Sequence, residues 1–162
     1  MTSRINLFKG IITYPITPFS ANGEVDIKML NTLIEQLINS GSHAIAPLGS
    51  TGESAYLNDE EWAEVAQASI KAVNKRLPVI VGVSDLTTQN AIKRAKIAEK
   101  SGADAIMVLP VSYWKLTPDE IFNHYAKIDD AVSLPIMVYN NPATSGIDMS
   151  PGLIVQLFKS ID

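Results

Sequence analysis

Two six-residue stretches, Ser40-Gly41-Ser42-His43-Ala44-Ile45 and Ser101-Gly102-Ala103-Asp104-Ala105-Ile106, read alike: serine, glycine, two linking residues, then alanine and isoleucine. A glycine directly after an amphipathic run is where a helix ends left-handed, and the β-branched residue that follows opens a strand. The echo predicts a helix-to-strand step used more than once. Outward from it, apolar runs recur at Gly10 to Ile16, Ala44 to Leu48, Val79 to Val83, Ala105 to Leu109 and Ile136 to Tyr139. Their starts fall roughly every 30 residues, the length of one βαβ step. They are apolar almost residue by residue, as expected of parallel strands covered on both faces.

The intervening segments carry helical signals. Asn58 with Glu61, Thr117-Pro118-Asp119-Glu120 and Ser150-Pro151 read as caps, two of them with a third-position carboxylate. Core-facing stripes follow at helical spacing: Ile27, Leu30, Ile34, Leu37 and Ile38; Trp62, Val65, Ala66, Ser69 and Val73; Ala91, Ala95 and Ala98; Ile121, Tyr125 and Ile128; Leu153, Ile154, Leu157, Phe158 and Ile161. No linker or low-complexity tract divides residues 1–162, so the expectation is one α/β domain. Five strand-helix units suit either an open doubly wound sheet or the first part of an eight-unit barrel. Length alone favours the open sheet, because a barrel usually takes about 250 residues.

Composition narrows the function. The 162 residues are 46% hydrophobic and 19% charged, with a net charge of −4 and no cysteine. That is globular composition without a basic face for nucleic acid or anionic membrane, and without thiol chemistry or thiolate metal sites. Met1 to Phe8 lacks a leader-like pattern, and the longest apolar run, near Ala105 to Val111, is too short to span a bilayer. A cytoplasmic protein acting on small molecules is the expectation.

Both architectures put active residues just past the carboxyl ends of strands. Those loops read Tyr14 to Phe19, Gly49 to Ser54, Gly82 to Asp85, Pro110 to Trp114 and Tyr139 to Gly146, and they are rich in hydroxyls. Ser, Thr, Tyr and backbone amides suit an anion or a carbonyl compound, with no metal and no cofactor. Gly49-Ser50-Thr51-Gly52 lacks the spacing and lysine of a phosphate-binding loop, and no nucleophile elbow is present. His43 and His124 stand alone, which favours structural or surface roles. Each loop residue has a plain reading as well: Tyr139 as core with a tied hydroxyl, Ser50 and Thr51 as turn formers, Tyr113-Trp114 as a lid or interface patch, and Glu53 as a buried or helix-end carboxylate that fixes its loop.

Taken together, Gly49-Ser50-Thr51-Gly52-Glu53-Ser54, Tyr139-Asn140-Asn141-Pro142-Ala143-Thr144-Ser145-Gly146, Tyr14-Pro15-Ile16-Thr17-Pro18-Phe19 and Pro110-Val111-Ser112-Tyr113-Trp114-Lys115-Leu116-Thr117 resemble the dihydrodipicolinate synthase and N-acetylneuraminate lyase family of Schiff-base aldolases. The resemblance overrides the length argument and implies a TIM (β/α)8 barrel, with this chain covering about the first five βα units. It implies a lyase or aldolase acting on pyruvate or a related 2-keto acid, assembled as a homo-oligomer, a dimer or tetramer. By the same resemblance Thr51 and Gly49 bind the keto-acid carboxylate, Ser50 relays a proton, Tyr139 shuttles it, and Tyr113 is donated into a neighbouring subunit's site. The synthase branch has an arginine where Thr144 stands, so the pattern leans towards lyases and dehydratases. The family's imine-forming lysine would fall about five residues beyond Asp162, so the 162-residue chain alone is expected to be inactive. The other function left open is a non-catalytic half-barrel for binding or assembly, which would self-associate through its open edges.

Overall fold

The computed structural model describes residues 8–161; Asp162 and most of the Met1 to Phe8 stretch lie outside them. Five short strands alternate with helices: β1 (Ile12–Thr13), α1 (Ile27–Asn39), β2 (Ala44–Ile45), α2 (Asp59–Val73), β3 (Ile80–Gly82), α3 (Thr88–Ser101), β4 (Ala105–Val108), α4 (Pro118–Asp129), β5 (Ile136–Val138), α5 (Pro142–Ser145) and α6 (Pro151–Ser160). A 3-10 turn, Ser54–Tyr56, precedes α2. Neither that turn nor α5 was marked by the apolar periodicity, since one turn of helix has no stripe to show.

Strand order decides the architecture. β1 pairs with β2, β3 with β4 and β4 with β5, all parallel. A parallel bridge from Ile45 to Val79 joins β2 to the start of β3. The order is therefore β1-β2-β3-β4-β5 without reversal, whereas a doubly wound sheet needs a switch point where the order turns back. The open sheet favoured by length is overturned by this order. The ladders are shorter than the apolar runs because Pro15, Pro47 and Pro110 bring no N–H to continue pairing, and each falls where its strand leaves the sheet.

Local signals act as read. Asn58 with Glu61 and Thr117 with Glu120 form reciprocal capping boxes, and Ser150 accepts from the Leu153 amide. Gly41 and Gly102 both adopt positive φ, +89° and +94°, at the helix-to-strand steps. A larger apolar layer lies between helices and sheet and holds Trp62, Val65, Ala91, Ala95, Tyr125 and Ile128 among others. A smaller cluster lines the other face: Ala44, Ala46, Ile80, Ala105 and Met107, with Phe8, Ile12, Met137 and Tyr139 half-buried against it. One stripe is corrected: Phe158 is 80% exposed. Leu153 and Leu157 take the buried face of α6, and the next position is about 100° around the helix, off that face.

Candidate active site

The loop from Leu48 to Glu53 is built from backbone more than from side chains. Leu48 and Glu53 both sit in the left-handed region, at φ +62° and +54°, although neither is glycine. Between them the Gly52 amide donates to the Gly49 carbonyl and the Glu53 amide to that of Ser50, both at 3.1 Å. Buried Thr17, from the loop after β1, donates its hydroxyl to the Gly52 carbonyl at 2.7 Å. From below, the Gly82 amide donates to the Pro47 carbonyl at 3.0 Å. Any β-carbon at Gly82 would overlap the Leu48 carbonyl, so only glycine lets β3 pass beneath the loop.

Held this way, the loop presents Ser50 and Thr51 outwards. Both are exposed, and neither hydroxyl has a hydrogen-bond partner among the described residues. Turn formers of the plain kind would have spent their hydroxyls on neighbouring backbone. Glu53 stands at the start of the Ser54–Tyr56 turn, the helix-end placement, but it is exposed and its carboxylate caps nothing. Its backbone does the fixing, bonded to Ser50 on one side and accepting from the Tyr56 amide at 2.9 Å on the other.

Tyr139 follows β5, two residues past Met137. Strand side chains alternate between faces, so it projects with Met137 onto the inner cluster, where both pack. The Asn141 side-chain amide donates to its phenol oxygen at 2.8 Å. In that bond the phenol oxygen accepts, so the phenol proton is left without an acceptor among the described residues. Behind it, the Val108 carbonyl accepts both the Tyr139 amide at 2.9 Å and the buried Tyr125 hydroxyl at 2.7 Å. Burial pushes the Tyr125 phenol well above its usual range, only partly offset by a hydrogen bond from the Tyr139 backbone, so it stays a donor. Sequence reasoning read Tyr125 only as core; the signal it missed is a tyrosine where phenylalanine would have filled the stripe.

The other strand ends complete the rim. Ser84 accepts the Leu109 amide at 2.8 Å, and buried Arg94 donates to the Ser84 carbonyl at 2.7 Å while pairing with Asp85 at 3.4 Å. Asn140 donates to Asp148 and accepts from the Met149 amide, which ties the start of α5 to the approach to α6. Thr144 lies exposed within α5. Tyr14, which the loop reading did not single out, stands two residues past Ile12 on the inner face. Its phenol is held above the usual value by burial first and by the neighbouring Tyr139 phenol second.

The structure brings Gly49, Ser50, Thr51 and Tyr139 to the same end of the sheet, but it does not bring Tyr113 to them. Tyr113 is 86% exposed and meets Trp114 edge-on, ring centroids 5.4 Å apart. His43 accepts the Ile11 amide through Nδ1 at 3.0 Å. His124 is buried, its Nδ1 paired with the Thr88 hydroxyl at 2.9 Å, and burial holds its pKa below the usual value against the opposing pull of Asp85. A cleft of about 300 Å³ opens beside the Tyr113 loop between Leu86, Thr88, Ser112, Leu116, His124 and Lys127; it shares no residue with the Ser50–Tyr139 cluster. Among the described residues no group of three or more His, Asp or Glu side chains is placed to hold a metal, and no helix is long and apolar enough to cross a membrane.

Comparison with known proteins identifies what the chain is similar to. The sequence model of the dihydrodipicolinate synthetase family matches residues 7–162. The chain is 41% identical over 158 residues to 4-hydroxy-tetrahydrodipicolinate synthase of Chelativorans sp. (strain BNC1), covering 96% of this chain and 54% of that protein. It is 42% identical over 154 residues to the enzyme of the same name from Rhizobium meliloti, covering 95% and 52%. Among solved structures, a Pseudomonas aeruginosa protein named provisionally as a dihydrodipicolinate synthetase superposes with a TM-score of 0.94 at 55% identity, over 96% of this chain and 53% of that one. YagE, a prophage protein of the dihydrodipicolinic acid synthase family from E. coli K12 in complex with pyruvate, gives 0.92 at 36% identity, over 96% and 52%. The chain spans about half the length of the relatives it matches. With the sequential strand order, these matches make the fold the first five βα units of an eight-unit barrel.

Proposed function

The chain belongs to the dihydrodipicolinate synthetase family, and from that premise we propose that it forms the first half of a lyase or aldolase that binds pyruvate or a related 2-keto acid and activates it through a lysine Schiff base. The observation that carries the reading is the Tyr139 phenol, which accepts from Asn141 and keeps its proton free, at the same strand ends as the unpartnered Ser50 and Thr51 hydroxyls. Thr51 holds the keto-acid carboxylate with its hydroxyl and backbone amide, and the Gly49 backbone lets the substrate approach closely. A lysine amine attacks the keto carbon to give a carbinolamine. Tyr139 protonates the departing hydroxyl, which leaves as water and yields the imine; Ser50 relays the proton that restores Tyr139.

None of the lysines among the described residues stands at a strand end on the inner face; Lys159, the last of them, lies in the last turn of α6. The imine lysine belongs to the half of the relatives' length not matched here, so the 162 residues by themselves carry the keto-acid cradle without the amine. A cytoplasmic homo-oligomer, a tetramer in which Tyr113 reaches a neighbouring subunit's site, is part of the same proposal. Its support is the acidic, cysteine-free composition and the exposure of the Tyr113-Trp114 pair. A non-catalytic binding or assembly module is not favoured, because the curated relatives are named as synthases.

Borohydride reduction with pyruvate tests the proposal. The longest chain its gene encodes should gain one reduced pyruvate adduct by intact mass, on a lysine, while the 162-residue chain gains none. An adduct on the 162-residue chain would assign the amine to a lysine already present; no adduct on either would sink the Schiff-base reading.

A further inference from the structure

The inner face carries a second phenol that the reading above leaves unused. Tyr14 and Tyr139 occupy corresponding places just past the ends of the first and fifth strands, each two residues beyond an inner-face side chain, Ile12 and Met137. A methyl group placed on Gly49 would lie 3.5 Å from Tyr14 Cδ1 and 3.2 Å from Met107 Cε, so the Tyr14 ring flanks the glycine that opens the cradle. Met107 in turn packs in the cluster against which Tyr139 rests. The Tyr14 hydroxyl has no hydrogen-bond partner among the described residues, and the residue is 42% exposed, open to a ligand from the rim.

From this placement we infer that Tyr14 donates its phenol O–H to the carboxylate of the keto acid held by Thr51, as a binding and specificity-determining residue of the same site. The inference rests on the keto-acid reading proposed above. The two phenols divide the work by chemistry. Ionising both would set two negative charges beside a bound anion, and burial together with Tyr139 keeps the proton on Tyr14. Tyr139, whose oxygen Asn141 supports, is the phenol free to exchange its proton. A phenol held towards its protonated form is a hydrogen-bond donor to the carboxylate and distinguishes a carboxylate-bearing ketone from a neutral one.

The test compares Tyr14→Phe with the wild type, in the longest chain its gene encodes, using borohydride trapping of two probes: pyruvate, and hydroxyacetone, a methyl ketone without the carboxylate. Removing one hydrogen bond to a charged group should raise the half-saturating pyruvate concentration about tenfold. Hydroxyacetone trapping should be unchanged, which a general structural role for Tyr14 would not allow. Equal losses with both probes, or an unchanged pyruvate requirement, would overturn the role of Tyr14 while leaving the Schiff-base reading intact. A wild-type chain that traps neither probe would overturn both.

Discussion

The loops after β2 and β4 carry hydroxyls and aromatics at the same end of the same sheet, yet they are held in opposite ways. The Leu48 to Glu53 loop is tied internally, from Thr17 at one side and from β3 beneath, so its shape is decided within this chain. The loop with Tyr113 and Trp114 leaves both rings at 86% and 77% exposure, meeting one another edge-on. The first would be preorganised for the small ligand proposed for it, because its backbone shape is set within the chain before anything binds. The second has the composition of an interface, and it is tied by the Trp114 amide on the Ser112 hydroxyl at 3.2 Å and by the packing of Leu116 against the core.

The contrast can be broken most severely at Gly82. Gly82→Ala forces a β-carbon into the Leu48 carbonyl, and overpacking against backbone should cost at least about 3 kcal/mol in urea unfolding. A loss under about 1 kcal/mol would mean the loop yields, and its rigidity would have to be abandoned. Thr17→Val is the next step down: it leaves the Gly52 carbonyl without its 2.7 Å donor, at about 1–3 kcal/mol. Amide exchange at Gly52 and Glu53 should then accelerate ahead of global unfolding; exchange that changes only with the whole molecule would show that the tie is not local. The smallest effect belongs to the other loop. Trp114→Ser should change the stability of this chain by no more than about 0.5 kcal/mol, and a drop well beyond that would reveal a support for the loop in solution.

What the sequence disclosed follows from the range of the forces involved. Caps at Asn58, Thr117 and Ser150, and glycines at 41 and 102, act within a few residues, and each was readable where it stood. Strand order was not readable, since the bridge from Ile45 to Val79 joins segments whose composition would serve either architecture. In the site, the hydroxyl-rich loops announced their own location. The supports did not: Thr17 reaches Gly52 across 35 residues, and Tyr125 reaches Val108 across 17 from a helix that otherwise looks like ordinary core. Glu53 stands at a helix end as read, but the way it fixes the loop was not legible, because its backbone conformation does the work and its carboxylate does not. Tyr14 was read only as part of its loop, because the Tyr139 phenol it neighbours follows the strand at the opposite edge of the sheet.

Leu48 holds a left-handed backbone as a buried, branched residue, and β3 passes beneath its carbonyl because position 82 has no side chain. Holding such a conformation costs on the order of 1 kcal/mol, and the burial of the leucine offsets it only while the neighbouring strand stays bare. The two positions are consequently epistatic: a change at either alters what is tolerated at the other, and their joint effect should depart from the sum of the separate ones. Substitutions near this cradle would then have to be drawn as pairs, which makes positions 48 and 82 one heritable unit of the barrel instead of two independent sites of variation.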